Sequence, residues 1–366
     1  MENKKGIYGK ITTLLLALVA ILCIIFVSSC ADGEEADTDT DISNRKPTEG
    51  LEYLLKEDDT YEVVGIGTAT ETDIVIPSTY NDKIVTSIAD EAFSDCRKIT
   101  SIAIPGSITD IGKRAFEYCN GLNAVYIDDI SAWCKINFDY TSFSRSANPL
   151  YYAENLYLKN KLVTDLVIPS DVTKINDYAF YYCKSIKSIT IPNSITSIGV
   201  GAFDGCFNLQ VVYIDDMSAW CKIEFDHDSA NPLYGAEDLY LNGELVTDLV
   251  IPDDVTEIGN YAFYNCKSLT SVTIGGNVTS VGSYAFAWCD NLTNVTIGNS
   301  VQKMSNWVFS GCANLTSAIF ENTNDWYVSF IQNPTSSLGE NVDVTDPSFA
   351  AQCLVNICCG HYWKHK

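Results

Sequence analysis

A phenylalanine followed three residues later by a cysteine recurs seven times along this chain, in AFSDC, AFEYC, AFYYC, AFDGC, AFYNC, AFAWC and VFSGC. Cysteine can serve as a nucleophile, a metal ligand, a disulfide partner or a packing group, and each use has its own arithmetic. A nucleophile is needed once, beside a base. Zinc needs clustered ligands, whereas Cys96, Cys119, Cys183, Cys206, Cys266, Cys289 and Cys312 are strung out periodically. Disulfides suit an exported protein, but seven is an odd number and pairing alternate copies would distort a regular stack. We expect reduced cysteines buried as small apolar groups, with bridges between copies as the competing arrangement.

Three further constellations invite chemistry. The terminal CCGHYWKHK places Cys358, Cys359, His361 and His365 too close together for one tetrahedral zinc site; an apolar cap with a basic tail is expected. His227 is the only histidine inside the repeated region and would be the base of a thiol-dependent hydrolase, yet the duplicate position holds Tyr140. Asp128/Asp129 and Asp215/Asp216 lack the D-x-D-x-D-G loop of a calcium site and read as turn and helix-capping residues. No catalytic residue, metal or cofactor is expected, and three histidines in 366 residues leave little acid–base chemistry.

The elements that position these residues are repeats. Aligned on Phe93, Phe116, Phe180, Phe203, Phe263, Phe286 and Phe309, four of the six spacings are 23 and the others are 64 and 60. The shared pattern is (V/I)-T-x-hydrophobic-x-x-x-A-F-x-x-C, as in VTSVGSYAFAWC. Segments such as LTSVTIGGNV follow each cysteine and fit the leucine-rich-repeat strand and turn. One such unit cannot bury its apolar face, so the units must stack. The expected fold is a repeat solenoid of ~23-residue leucine-rich repeats: short parallel strands, extended turns and short helical turns, mostly β with some α, with ten coils. Stacking places every copy of a position above the last, giving a phenylalanine column and a cysteine column beside it.

The two long gaps hold a duplicated helix–loop–hairpin module, at about 125–168 and 212–251. VYIDDISAWCKINFDY and VYIDDMSAWCKIEFDH are near copies, and both run on through SANPLY to LYLKNKLVTDLVIP or LYLNGELVTDLVIP. Asn242-Gly243 is a strong hairpin signal, with Asn160-Lys161 the weaker equivalent. Residues 50–77 alternate like a β-hairpin cap, the solenoid is expected to run over 50–320, and 321–366 would close its other end.

The chain carries 47 acidic and 23 basic residues, a net charge of −24, which disfavours nucleic acid. At the N-terminus Lys4, Lys5 and Lys10 precede an apolar run ending in VSSC, which resembles a bacterial lipobox. Residues 1–29 then form a lipoprotein signal peptide, Cys30 carries the lipid, and 30–49 are an acidic disordered tether. An uncleaved membrane anchor is the alternative. On the solenoid, the middle residue of each strand faces outward: Ala103, Tyr126, Val167, Thr190, Tyr213, Val250, Thr273 and Thr296. Tyr126, Tyr213, Thr190, Thr273 and Thr296 form the candidate binding face, because tyrosine offers area and a hydroxyl at low entropy cost.

From about residue 50 to the C-terminus the units resemble BspA-type leucine-rich repeats, with their I-P-x-S-V-T-x-I-G-x-x-A-F-x-x-C-x-x-L signature. The resemblance implies surface exposure and a role in adhesion, with extracellular-matrix or partner-cell proteins as ligands of some members, and no catalytic residues; a monomer is expected. Glycan binding through the surplus of Tyr and Trp is the second expectation.

Overall fold

The computed structural model describes residues 45–140, 146–329 and 340–365. The signal segment, Cys30 and most of the tether lie outside these residues. The chain makes about eleven turns of β-solenoid at the 23-residue spacing. The strand count from sequence is ten; the hairpin Glu52–Leu55/Tyr61–Gly65 adds a turn by pairing its second strand in parallel with Lys83–Ile88.

A single unit shows how the sequence builds a coil. Strand Ser271–Ile274 alternates, Val272 and Ile274 buried and Thr273 exposed, so a slip of one residue would turn both apolar side chains to solvent. A turn leads to the two-residue strand Ser280–Val281. The longer strands stack in parallel as three sheets of four, the first two each extended by the antiparallel two-residue hairpin strands Lys161–Leu162 and Glu244–Leu245, and most of the other two-residue strands form a second ladder. The repeated Thr of the V-T pair bonds across coils: the hydroxyls of Thr109, Thr196 and Thr279 donate to the carbonyls of Thr86, Thr173 and Thr256 at 3.1–3.2 Å.

The A-F-x-x-C segment is a pair of tight turns rather than a continuous helix. Its turns close through bonds such as Ser94 N–H to Glu91 O (2.9 Å) and Cys96 N–H to Phe93 O (3.1 Å). Two residues per copy are left-handed, for example Tyr261 and Asn265, or Gly201 and Gly205. This backbone turns N–H groups toward the next coil: Phe93, Phe180, Phe263 and Phe286 donate to the carbonyls of Ala115, Ala202, Ala285 and Val308 at 2.7–2.9 Å. At Gly205 (φ +79°) a Cβ would meet the Tyr182 ring at 2.3 Å, so glycine both permits the backbone and admits the ring.

Phe rings stack along the interior, with centroids 5.4 Å apart for Phe93–Phe116, 5.5 Å for Phe180–Phe203, 5.1 Å for Phe263–Phe286 and 5.4 Å for Phe286–Phe309. The stack breaks at each inserted module. Helices Ile130–Trp133 and Met217–Cys221 begin there, capped by Asp129 and Asp216, whose carboxylates accept two backbone N–H bonds each at 2.7–3.2 Å. Their buried tryptophans supply the donors that the broken ladder lacks: Trp133 and Trp220 Nε1 donate to the carbonyls of Ala179 (2.7 Å) and Ala262 (2.9 Å). Asn148 and Asn231, both fully buried, donate to Tyr178 and Ala179 and to Tyr261 and Ala262. A buried carbonyl without a donor costs about 1–3 kcal/mol, so these side chains let an irregular module sit inside a regular stack.

The module hairpins turn at Asn242-Gly243, both left-handed, and at Lys159-Asn160, also both left-handed. The first turn therefore sits one residue earlier than Asn160-Lys161, because Asn160 occupies the place of Gly243, where a positive φ is required. At the far end, Tyr362–His365 pairs antiparallel with Lys303–Met304 and Trp326–Ser329, burying Trp326 and Trp363.

Candidate binding surface

The outward side chains of the long strands form one row in register. It runs Val75, Ala103, Tyr126, Tyr157, Leu162 across the first sheet. Val167, Thr190, Tyr213, Tyr240 and Leu245 follow in the second, and Val250, Thr273, Thr296 and Ile319 in the third. Thr190 and Tyr213 are thus neighbours, as are Thr273 and Thr296, while Tyr126 lies in a different sheet, beyond the first hairpin. Tyr157 and Tyr240 were missed from sequence; each is the outward residue of a Leu-Tyr-Leu alternation, and that period was the available signal. They complete two tyrosine pairs, with centroids 4.8 Å apart for Tyr126–Tyr157 and 5.3 Å for Tyr213–Tyr240.

Part of the row is covered by the chain itself. Thr48 N–H donates to Val75 O (3.0 Å), and its hydroxyl accepts from Val75 N–H (2.9 Å). The Arg45 guanidinium lies 3.9 Å above the Tyr126 ring centroid and donates to the Asn160 side-chain carbonyl. Residues 45–48 therefore cross the face above Ala103, which is fully buried although it points outward. The last residues assigned to the tether dock on the solenoid, because a threonine can complete the free edge of the first strand and an arginine can cover a tyrosine. The other sheets are open: Val167 is 61% exposed and Val250 66%.

The cysteines lie away from this face. All twelve described cysteines are free thiols. The S–H groups of Cys119, Cys206, Cys289 and Cys312 donate to the carbonyls of Phe93, Phe180, Phe263 and Phe286 in the preceding coil at 3.0–3.2 Å. Those of Cys183 and Cys266 lie 3.4 Å from the hydroxyls of Ser185 and Ser268. Burial pushes the Cys119, Cys134 and Cys221 thiols up to about 12, and those of Cys183 and Cys266 to about 11. A thiol held protonated is a poor nucleophile.

His227 caps the short turn of helix Asp228–Ala230, its Nδ1 lying 3.1 Å from the Ser229 hydroxyl and 2.5 Å from the Asp228 carboxylate. It borders a cleft of roughly 280 Å³ with Tyr178, Gly201, Asp204, Asp228 and Tyr234, and no cysteine lines this cleft. A broader groove of roughly 600 Å³ runs over the second ladder between Lys222, Glu224, Glu257 and Lys303. Among the described residues no group of three or more His, Cys, Asp or Glu side chains could hold a metal ion. No helix among them is long and apolar enough to cross a membrane.

Stacked strand–turn coils of this length, with one solvent-facing row and an inward Phe–Cys seam, define a leucine-rich-repeat solenoid. The chain belongs to the BspA type leucine-rich repeat family, whose pattern matches residues 70–148, 153–224 and 237–341 in six copies. No curated protein matches it. Among solved structures it is similar to a leucine-rich cell-surface protein of Faecalibacterium prausnitzii, at 20% identity over 81% of this chain and 97% of that one, with a TM-score of 0.37. A leucine-rich-repeat protein of Bacteroides ovatus is 25% identical over 75% of this chain and 88% of its own, with a TM-score of 0.34. The pneumococcal vaccine antigen PcpA is 16% identical over 78% and 83%, with a TM-score of 0.37.

Proposed function

We propose that this is a non-catalytic bacterial surface protein that binds other proteins through the open part of its outward row, centred on Tyr213 and Tyr240. The observation that carries this reading is the row itself: paired tyrosines and exposed Val167, Leu245, Val250 and Ile319 on a rigid sheet. Aromatic anchors on a rigid scaffold bind with little loss of side-chain freedom. Membership of a leucine-rich-repeat family agrees with protein–protein interaction, and adhesion to matrix or partner-cell proteins is the specific form proposed. Purified protein is expected to bind a subset of such proteins saturably, and Tyr213→Ala/Tyr240→Ala to weaken binding at least tenfold, about the effect of losing one aromatic hot spot. Binding indifferent to the double substitution would move the site elsewhere on the molecule.

Glycan binding is the second reading, favoured by the cleft where two tyrosines face Asp204 and Asp228. Hits on a glycan array with silence on every protein would select it.

The anchoring reading rests on sequence. Residues 1–29 act as a lipoprotein signal peptide, Cys30 receives the acyl chains, and the acidic stretch from Ala31 holds the monomeric solenoid off the membrane. Cells fed an alkyne fatty acid are expected to label the wild-type protein and not Cys30→Ser, which would stay unprocessed. Equal labelling of both would refute Cys30 as the lipidation site.

A further inference from the structure

The duplicated module presents the same tyrosine pair twice, once under the chain's own Arg45 and once with no cation from the described residues over it. We infer that the Tyr213–Tyr240 pair is a receptor for an arginine side chain on an extended segment of a partner protein. This inference rests on the binding face proposed above and names what that face takes.

In the first copy the occupant is visible. The Arg45 guanidinium covers Tyr126, which packs on Tyr157, and is held by Asn160 at the tip of the hairpin. Tyr213 and Tyr240 repeat this arrangement in the same register, each directly opposite the other on adjacent parallel strands. Among the described residues no cation lies over either ring, and Val167, the counterpart of Val75, is 61% exposed. A guanidinium over a tyrosine face is attracted by the ring's negative quadrupole, and arginine does this better than lysine because it is planar and weakly hydrated.

Charge separates the two copies in the direction the inference needs. The first hairpin reads Lys159-Asn160-Lys161 and carries two positive charges, yet it still holds Arg45. The second reads Asn242-Gly243-Glu244 and carries one negative charge. Gly243 removes the amide acceptor, and the exposed Glu244, which lies opposite Leu241 and so on the other side of the hairpin from Tyr240, acts through its charge and not as a direct contact. A negative hairpin on a chain of net charge −24 draws a basic segment toward it, where the first hairpin's two lysines repel one. The first copy is thus closed by the protein's own arginine, and the second is left for a foreign one.

The test uses the chain's own segment as probe. An acetylated, amidated and fluorescently labelled peptide of residues 43–48, SNRKPT, is titrated into the full-length protein and followed by anisotropy. Saturable binding is expected. Arg→Gln in the peptide is expected to weaken it about fivefold or more, with Arg→Lys in between. On the protein, Tyr213→Ala is expected to abolish binding and Glu244→Lys, which copies the first hairpin at an exposed position, to weaken it several-fold; Tyr126→Ala is expected to leave it unchanged. Binding indifferent to Arg→Gln, binding lost in Tyr126→Ala but kept in Tyr213→Ala, or no saturable binding would each overturn the inference. If the peptide fails while a protein ligand is still lost in Tyr213→Ala/Tyr240→Ala, the binding face stands and arginine is not what it reads.

Discussion

Replacing Phe286 by alanine is expected to remove about 3–5 kcal/mol of stability, enough to unfold the C-terminal coils of a marginally stable protein. Phe286 is fully buried and sits in the middle of a three-ring stack, 5.1 Å from Phe263 and 5.4 Å from Phe309, both nearly parallel to it. The substitution opens a cavity in a column whose backbone is tied to the next coil, Phe286 N–H to Val308 O and the Cys312 thiol to Phe286 O, so the site collapses poorly. It also breaks two ring contacts, where Phe93→Ala would break one. Phe286→Leu keeps most of the volume and is expected to cost about 1–2 kcal/mol. Because coils contact mainly their neighbours, the loss should be local: hydrogen exchange of Phe263→Ala and Phe286→Ala proteins would accelerate from the third sheet onward while strand Ser101–Ile104 stays protected. Uniform acceleration through every coil would contradict the column as the unit of stability.

What could be read from sequence follows from what repetition exposes. A residue type that recurs every 23 positions announces its column, so Phe, Cys, Ala and Thr located the solenoid and its interior before any coordinates. The roles of Trp220 and Asn231 were not readable, since they donate to carbonyls at Tyr261 and Ala262, some 30 to 42 positions away, in a coil they only reach once stacked. Lys159-Asn160 was placed one residue late because only Asn-Gly declares a two-residue turn by composition, and here asparagine fills the glycine position. The docking of residues 45–48 was hidden for another reason. An acidic, polar run reads as disordered, and two contacts, Thr48 on Val75 and Arg45 on Tyr126, suffice to hold its end. Of the candidate face, Tyr126 and Tyr213 were legible through period two, whereas Tyr157 and Tyr240, and the pairing across adjacent strands, emerge only when the inserted modules bring their own strands alongside.

The cysteine column makes the fold alkali-sensitive, and this is expected to be its largest solution signature. Cys119, Cys134, Cys183, Cys206, Cys221, Cys266 and Cys289 are essentially solvent-free. Desolvation raises all seven thiols, to about 11 for Cys183 and Cys266, to about 12 for Cys119, Cys134 and Cys221, and well above the ordinary thiol value for Cys206 and Cys289. In the unfolded chain they ionise near 8.5. A raised folded value means full stability below that pH and progressive loss above it, because the unfolded state then releases protons that the folded state keeps. Each such thiol removes about 1.4 kcal/mol per pH unit, and seven together about 10, comparable to the whole stability of a domain. Unfolding in reducing buffer is therefore expected between about pH 9 and 10, and Cys206→Ala/Cys289→Ala to flatten the slope by about 3 kcal/mol per unit. Access predicts that iodoacetamide at pH 8 modifies the half-buried Cys96 and Cys359 first, with the seven buried thiols slowed about a thousandfold until denaturant is added. A non-reducing mass map showing bridges between coils, or a melt flat to pH 10, would mean that the column is not made of buried thiols.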